Sequence, residues 1–243
     1  MLPTHDLGQA PSPAPWAFTD GQLEALKWLG VGFMFLDHFG RLLLGFGTDS
    51  WVFAASRIAF PLFAVVLALN LAREGDRAGR AARTAGRLAL WCAVAVGPSI
   101  WARGLPWMVN VLGTLALGAA LCWAFAAAQA PPWQRLGAAV AAALAAHFVE
   151  FGLAGVLLVP ATYLAAAQRS AGAALVAVLL LLMIAWLNGA FGGVEAFLGT
   201  VAVVPLAALV RTLPILLPRT KLTFYVVYPL HLALIGALQG VVR

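Results

Sequence analysis

The apolar run Leu29-Gly-Val-Gly-Phe-Met-Phe-Leu-Asp37-His38-Phe-Gly-Arg41 carries an acid, an imidazole and a guanidinium within five residues. Ionisable groups in so apolar a stretch are costly and need a reason. More of them recur far along the chain. Arg57 precedes Ile58-Ala-Phe-Pro61, Asn110 and Glu150 stand at segment boundaries, and Tyr225, Tyr228, Pro229 and His231 share the last apolar run. These are the residue types of proton transfer and of oxyanion stabilisation. Asp37 and Arg41, four apart, can pair along one helical face. His38 lies about 100° round the helix from Asp37, so the group that orients its ring has to come from elsewhere.

Each group also has a structural reading. A lone intramembrane histidine can simply bond two helices, and Asp37 with Arg41 or Arg57 can be a structural ion pair. Glu150 can be interfacial, and Tyr225 and Tyr228 can belong to an aromatic belt. His5 and His147 suggest no role. Cys92 and Cys122 sit in apolar runs as small packing residues. Neither the His/Asp nor the Cys spacing makes a metal site, and no Gly-rich phosphate loop or serine elbow occurs.

The elements that must position these groups follow from composition. Of 243 residues, 63% are hydrophobic and 10% charged, with a mean hydropathy of +0.93. No water-soluble fold of this size buries so much apolar side chain, so lipid has to be the solvent for much of it. Turn signals and charges divide the chain into about nine spanning helices, near 22–44, 51–72, 88–102, 108–128, 136–149, 152–168, 173–190, 194–213 and 222–242. The fold class is an all-α polytopic transmembrane bundle, since no segment alternates as a barrel strand would. Residues 1–20, with Pro3, Pro11, Pro13 and Pro15 and no Lys or Arg, read as a flexible tail. Residues 21–243 read as one integral-membrane domain.

Charge sets the orientation. Arg73, Arg77, Arg80, Arg83 and Arg87 crowd a short loop that belongs in the cytoplasm. Nine spans then place Arg135, Arg169, Arg211, Arg219 and Lys221 on the same side, and only Arg41, Arg103 and Arg243 opposite. The N-terminus is expected inside and the C-terminus outside. This bias accounts for the basic composition without nucleic acid; the other reading of the Arg loop is a grip on the phosphates of a cytoplasmic ligand. Propagated through the bundle, Asp37, His38, Arg57, Asn110 and Glu150 fall in the outer half and His231 near the middle. A polar cavity opening outward would unite them.

Five segments, in order over nearly the whole chain, resemble the TraX family, which includes the conjugal-transfer pilin acetylases. Lys27 with Met34-Phe-Leu-Asp37-His38-Phe-Gly40 is similar to its opening Lys…Met-x-x-Asp-His-x-Gly. Ser56-Arg57-Ile58-Ala59-Phe60-Pro61-Leu62-Phe63 resembles Gly-Arg-x-Ala-Phe-Pro-x-Phe, with Ser56 where Gly is usual. Asn110-Val-Leu-Gly-Thr114-Leu, Glu150-Phe-Gly152-x-x-Gly155 and Phe224-Tyr225-x-x-Tyr228-Pro229-x-His231-Leu232 resemble the remaining motifs, with Phe151 where Tyr is common. The Ala-rich stretch 136–190 matches only in hydrophobicity.

The resemblance implies an inner-membrane acetyltransferase that moves acetyl from acetyl-CoA to the N-terminal amine of pilin during conjugative pilus biogenesis. It implies a catalytic set of His38, Asp37, Arg57, His231 and Tyr228, and Arg57, Asn110, Tyr225 and Arg73 toward acetyl-CoA, with no metal. Either histidine could be the base, and two histidines would also allow a relay through an acetyl-imidazole. Arg57 or Tyr228 could hold the oxyanion. The competing readings are an acyltransferase with another extracytoplasmic acceptor, a proton-coupled permease, and a non-enzymatic pilus assembly factor.

Overall fold

The computed structural model describes residues 17–220 and 222–242. Most of the expected tail, with His5, and the charges Lys221 and Arg243 lie outside the described residues. The rest is almost wholly helical, and among the described residues the nearest thing to a sheet is one isolated bridge, Val109 to Val149.

Helix α1 (Asp20–Leu42) starts on a capping box: the Thr19 hydroxyl accepts from the Gln22 amide while the Gln22 side chain accepts from the Thr19 amide. The second expected span is two helices, α2 (Trp51–Ser56) and α3 (Ala59–Ala72). A proline inside an apolar run is expected to kink a spanning helix, but Pro61 is not itself the kink. The break falls at Arg57–Ile58, which leaves Pro61 in the first turn of α3, where its missing N–H costs nothing. This pass is the most deeply packed, and α1, α5 (Val111–Ala126) and α7 (Gly152–Gln168) close around α3.

Helix α4 (Arg77–Arg103) corrects two expectations. It starts eleven residues before the expected 88, so Arg77, Arg80, Arg83 and Arg87 are helical and only Arg73 remains in the loop. Asp76 caps it, accepting from the Gly79 amide at 2.7 Å, and Arg is a good helix former. The Arg80 guanidinium reaches back to the carbonyls of Arg73 and Glu74, satisfying the C-terminal end of α3. Helix α6 (Pro132–Ala145) begins with proline in its first turn and ends in a 3₁₀ turn, Ala146–Phe148.

The stretch α8 (Ala171–Val201) and α9 (Val203–Thr212) has the length of one 42-residue helix, but it is a hairpin. Asn188 Nδ2 donates to Thr200 Oγ1 at 2.9 Å. Twelve residues along a straight helix would separate them by about 18 Å. Gly192 and Gly193 leave helical geometry, the latter at φ 70°, and the chain reverses there. This is the expected boundary between 190 and 194. Helix α10 (Thr223–Val242) runs back through the bundle.

Among the described residues, Trp51–Ala72, Arg77–Arg103 and Thr223–Val241 are each long and apolar enough to cross a membrane, as is the stretch Ala171–Thr212 that folds back on itself. Their outer faces carry large apolar side chains; Trp186 and Phe191 are 67% and 71% exposed. Apolar patches of that size belong against lipid. The polar closures lie at the ends. At one end Arg73 and Arg219 both pair with Asp20, and Lys27 pairs with Glu24.

The hairpin packs on α2 with no room to spare, since a Cβ on Gly199 would stand 1.9 Å from the Ala54 carbonyl oxygen. Gly199→Val should lower stability by about 1–3 kcal/mol. Gly86→Ala on α4, where a Cβ meets nothing within 4 Å, should raise it by about 0.5–1 kcal/mol. Thermal unfolding in micelles followed by circular dichroism checks both.

Candidate active site

At the end of the bundle opposite the Asp20 closures, a cavity of about 260 Å³ opens between the C-terminal half of α1, the α2–α3 break, the end of α4 and the turn before α7. Its ionisable wall residues are Asp37, His38, Arg41, Arg57, Arg103 and Glu150.

Asp37 organises one wall. Its Oδ1 accepts from Arg57 Nη2, from Ser56 Oγ at 3.0 Å, and stands 3.8 Å from Arg41. Arg57 is pinned twice more, donating through Nε to the Phe53 carbonyl at 3.1 Å and lying 4.1 Å over the Phe53 ring. The break at Arg57–Ile58 makes this possible, because it turns the guanidinium from the helix axis toward α1. Nη1 of Arg57 makes no hydrogen bond among the described residues.

The opposite wall is a second ion pair, Arg103 with Glu150. Arg103 ends α4 just before Gly104, which takes the left-handed conformation that stops the helix. Glu150 is fixed through its backbone: its amide donates to the Val109 carbonyl at 3.1 Å and its carbonyl accepts from the Thr114 hydroxyl. Phe151 follows at φ 63°, an uncommon conformation for a bulky residue, held by ring stacking on Phe60 at 3.9 Å.

The histidines settle which nitrogen is available. His231 Nδ1 lies 3.0 Å from the Val227 carbonyl, an acceptor, so Nδ1 carries the proton. His231 Nε2 is then a lone pair in the neutral ring, and it lies 2.6 Å from His38 Nδ1. His38 Nδ1–H therefore donates to it, and His38 Nε2 is left bare. The ring centroids are 4.9 Å apart and the planes 7° apart, the separation of two rings meeting edge to edge along that hydrogen bond. The orienting group that Asp37 could not be is His231. Asp37 Oδ2 instead stands 4.0 Å from His38 Nε2.

The structure thus brings Asp37, His38, Arg57 and His231 together and sets the other expected site residues elsewhere. Tyr228 is fully buried behind the wall, edge-on to His231 at 5.4 Å. Its hydroxyl makes no well-formed hydrogen bond among the described residues and sits in the field of Glu150 and Arg103. Asn110 lines neither this cavity nor the one at the basic end. It caps α5 through the Leu112 amide and donates to the Cys92 carbonyl, which uses both ends of its side chain. Tyr225, six residues and about 9 Å along α10 from His231, lines a second cavity at the basic end together with Arg73. Sequence reasoning missed Arg103, which looks like a loop charge beside Gly104-Leu-Pro, and discounted Glu150, although it opens one of the quoted motifs. Among the described residues no cluster of His, Cys, Asp and Glu could hold a metal ion.

The profile of the family described as "TraX protein" matches residues 22–239. The chain belongs to the TraX family. It is 32% identical over 229 residues to Protein TraX of Escherichia coli and 33% identical over 231 residues to Protein TraX of Escherichia coli strain K12. Each match covers 91% of this chain and 88% of the relative. No solved structure matches it. The cavity lies within the span that the family profile covers, and all six of its ionisable wall residues fall inside it.

Removing one partner of a buried pair leaves an uncompensated charge, so Asp37→Asn should lower stability by about 3–5 kcal/mol. Asp37→Asn with Arg57→Met should restore much of that loss. Thermal unfolding of both variants in micelles measures the difference.

Proposed function

We propose that this chain is an inner-membrane acetyltransferase that passes acetyl from acetyl-CoA to the N-terminal amine of a pilin subunit. The observation that carries this reading is the bare Nε2 of His38, whose ring is fixed by His231 and lines a cavity flanked by Arg57 and Arg103, in a TraX-family chain. In this reading nine segments cross the membrane, with the basic end in the cytoplasm and the His38 cavity opening to the periplasm.

An α-amine is mostly ammonium at neutral pH, with a pKa of about 8. It releases one proton to water, and the neutral amine so formed attacks the thioester. His38 Nε2 accepts a proton as the amine nitrogen bonds to the acetyl carbon, and Asp37 Oδ2 offsets the imidazolium charge. The carbonyl oxygen becomes an oxyanion. Three cations, Arg41, Arg57 and Arg103, face two carboxylates, Asp37 and Glu150, so the cavity holds a formal surplus of one positive charge for it. Arg57 Nη1 is the donor with no other commitment. The C–S bond then breaks, the thiolate leaves, and His38 returns its proton to give CoA-SH and an N-acetyl amide. His231, which touches no substrate in this scheme, is a positioning residue.

A permease reading rests on the same ionisable groups, but both ion pairs are closed at hydrogen-bond range and leave His38 as the group free to exchange a proton. Purified protein in nanodiscs, radiolabelled acetyl-CoA and a pilin N-terminal peptide test the enzyme reading. Transfer is expected to the free peptide and not to one whose amine is blocked, and His38→Ala should reduce it by about 10²–10⁴-fold. Full activity in His38→Ala, or no transfer by the unaltered chain to any pilin peptide, contradicts the reading. Orientation is checked with an impermeant thiol reagent on spheroplasts. Thr48→Cys should label in intact cells and Gly75→Cys only after permeabilisation, both sites being exposed while Cys92 and Cys122 are buried.

A further inference from the structure

The second cavity, about 530 Å³, lies at the basic end and differs in character from the first. Its mouth carries Lys27, Arg73, Arg80, Arg87 and Arg219 against Asp20, Glu24 and Glu74, five cations to three acids and a formal surplus of two. Most of those cations already have duties. Arg73 and Arg219 hold Asp20, Lys27 holds Glu24, and Arg80 closes the end of α3. Arg87 has no carboxylate among the described residues and rests 5.9 Å over the Tyr225 ring, which itself lies against Trp91 at 6.2 Å. Deeper in, the walls turn apolar, with Val66, Leu67, Leu115 and Phe224. A cavity with a cationic, aromatic mouth and an apolar throat suits a ligand with a phosphorylated aromatic head and a long uncharged arm.

The apolar part of this chamber shares a wall with the His38 cavity. Phe63 is the one residue that lines both. Its ring lies over Gly30, where a Cβ would come 2.9 Å from Cε1, and against the Phe224 ring at 4.9 Å. The Phe63 ring therefore stands on the boundary between the anion-attracting chamber at the basic end and the cavity that His38 lines.

We propose that the Arg-lined chamber holds the phosphorylated nucleotide head of the thioester donor, and that the Phe63 ring is the door its acyl-bearing arm displaces to reach His38. This rests on the acetyl-CoA reading above and adds where the donor binds and what it must move. Arg87 and Tyr225 grip the head, Arg87 through the phosphates and Tyr225 through the adenine face. The same positive mouth could attract an anionic lipid headgroup, and the experiment separates the two.

The full chain is reconstituted in nanodiscs of phosphatidylcholine alone and titrated calorimetrically with adenosine 3′,5′-bisphosphate, which carries the head and lacks the arm. Binding is expected in the unaltered chain and should weaken about ten- to a hundredfold in Arg87→Ala. Phe63→Trp, which widens the barrier, should cut acetyl transfer about tenfold or more while bisphosphate affinity stays within about twofold. Phe63→Leu, a smaller apolar group that opens the barrier, should raise acetyl transfer, whereas a fold requirement would lower it. Equal bisphosphate binding by Arg87→Ala and the unaltered chain overturns the proposal, as does binding that appears only when phosphatidylglycerol is absent and is abolished by adding it. Transfer at the unaltered rate in Phe63→Trp also overturns it. If the bisphosphate binds as expected but no pilin peptide is acetylated, the chamber stands and the acceptor assignment fails. If pilin is acetylated equally by Arg87→Ala at limiting acetyl-CoA, the chamber fails and the enzyme reading stands.

Discussion

In a low-dielectric interior an ionised group cannot stand alone, and the Asp37 carboxylate is where this chain meets that constraint. Its two oxygens divide the work. Oδ1 gathers Arg57, Ser56 and Arg41, and Oδ2 is left toward His38. Nearby backbone irregularities serve the same end of the bundle. The break between α2 and α3 delivers Arg57 to Asp37, left-handed Gly104 ends α4 at Arg103, and left-handed Phe151 follows Glu150. Two ion pairs facing each other across a small cavity leave a single uncommitted base between them. The polar groups shape the local fold as much as the fold positions them.

The bundle has two ends of different chemistry. One concentrates arginines and seals itself with Asp20, Glu24 and the carbonyl end of α3; the other holds the imidazole pair. A soluble donor and a membrane-borne acceptor approaching from opposite sides would each meet the chemistry it needs. The interior between them is short of polar groups, and it is there that a ring such as Phe63 can act as a partition.

Much of this was legible in the residues. The apolar runs marked where helices lie, and the Gly192–Gly193 reversal fell where turn signals placed a boundary. The clustering of Asp37, His38, Arg57 and His231 followed from asking why costly groups should sit in lipid at similar depths. What stayed hidden depends on backbone detail or on partners distant in sequence. Arginines usually mark a loop, but Asp76 supplied a cap and α4 simply absorbed four of them. Asn110 looked like a ligand-binding amide because its type allows it, and only its contacts with Leu112 and Cys92 show that it is a buckle. Arg103 and Glu150 are 47 residues apart, and nothing local to either announces the other.

The proposed chemistry depends on one nitrogen, His38 Nε2, being unprotonated and turned into the cavity. Nitrogen-15 NMR of the chain with labelled histidine in nanodiscs reads the tautomer of each ring, with His38→Gln and His231→Gln assigning the two signals. The account predicts His38 protonated on Nδ1 and bare on Nε2, and a return to mixed tautomers in His231→Gln. A His38 ring protonated on Nε2 in the unaltered chain would contradict it, because the only proton acceptor proposed for the site would then face away from the cavity.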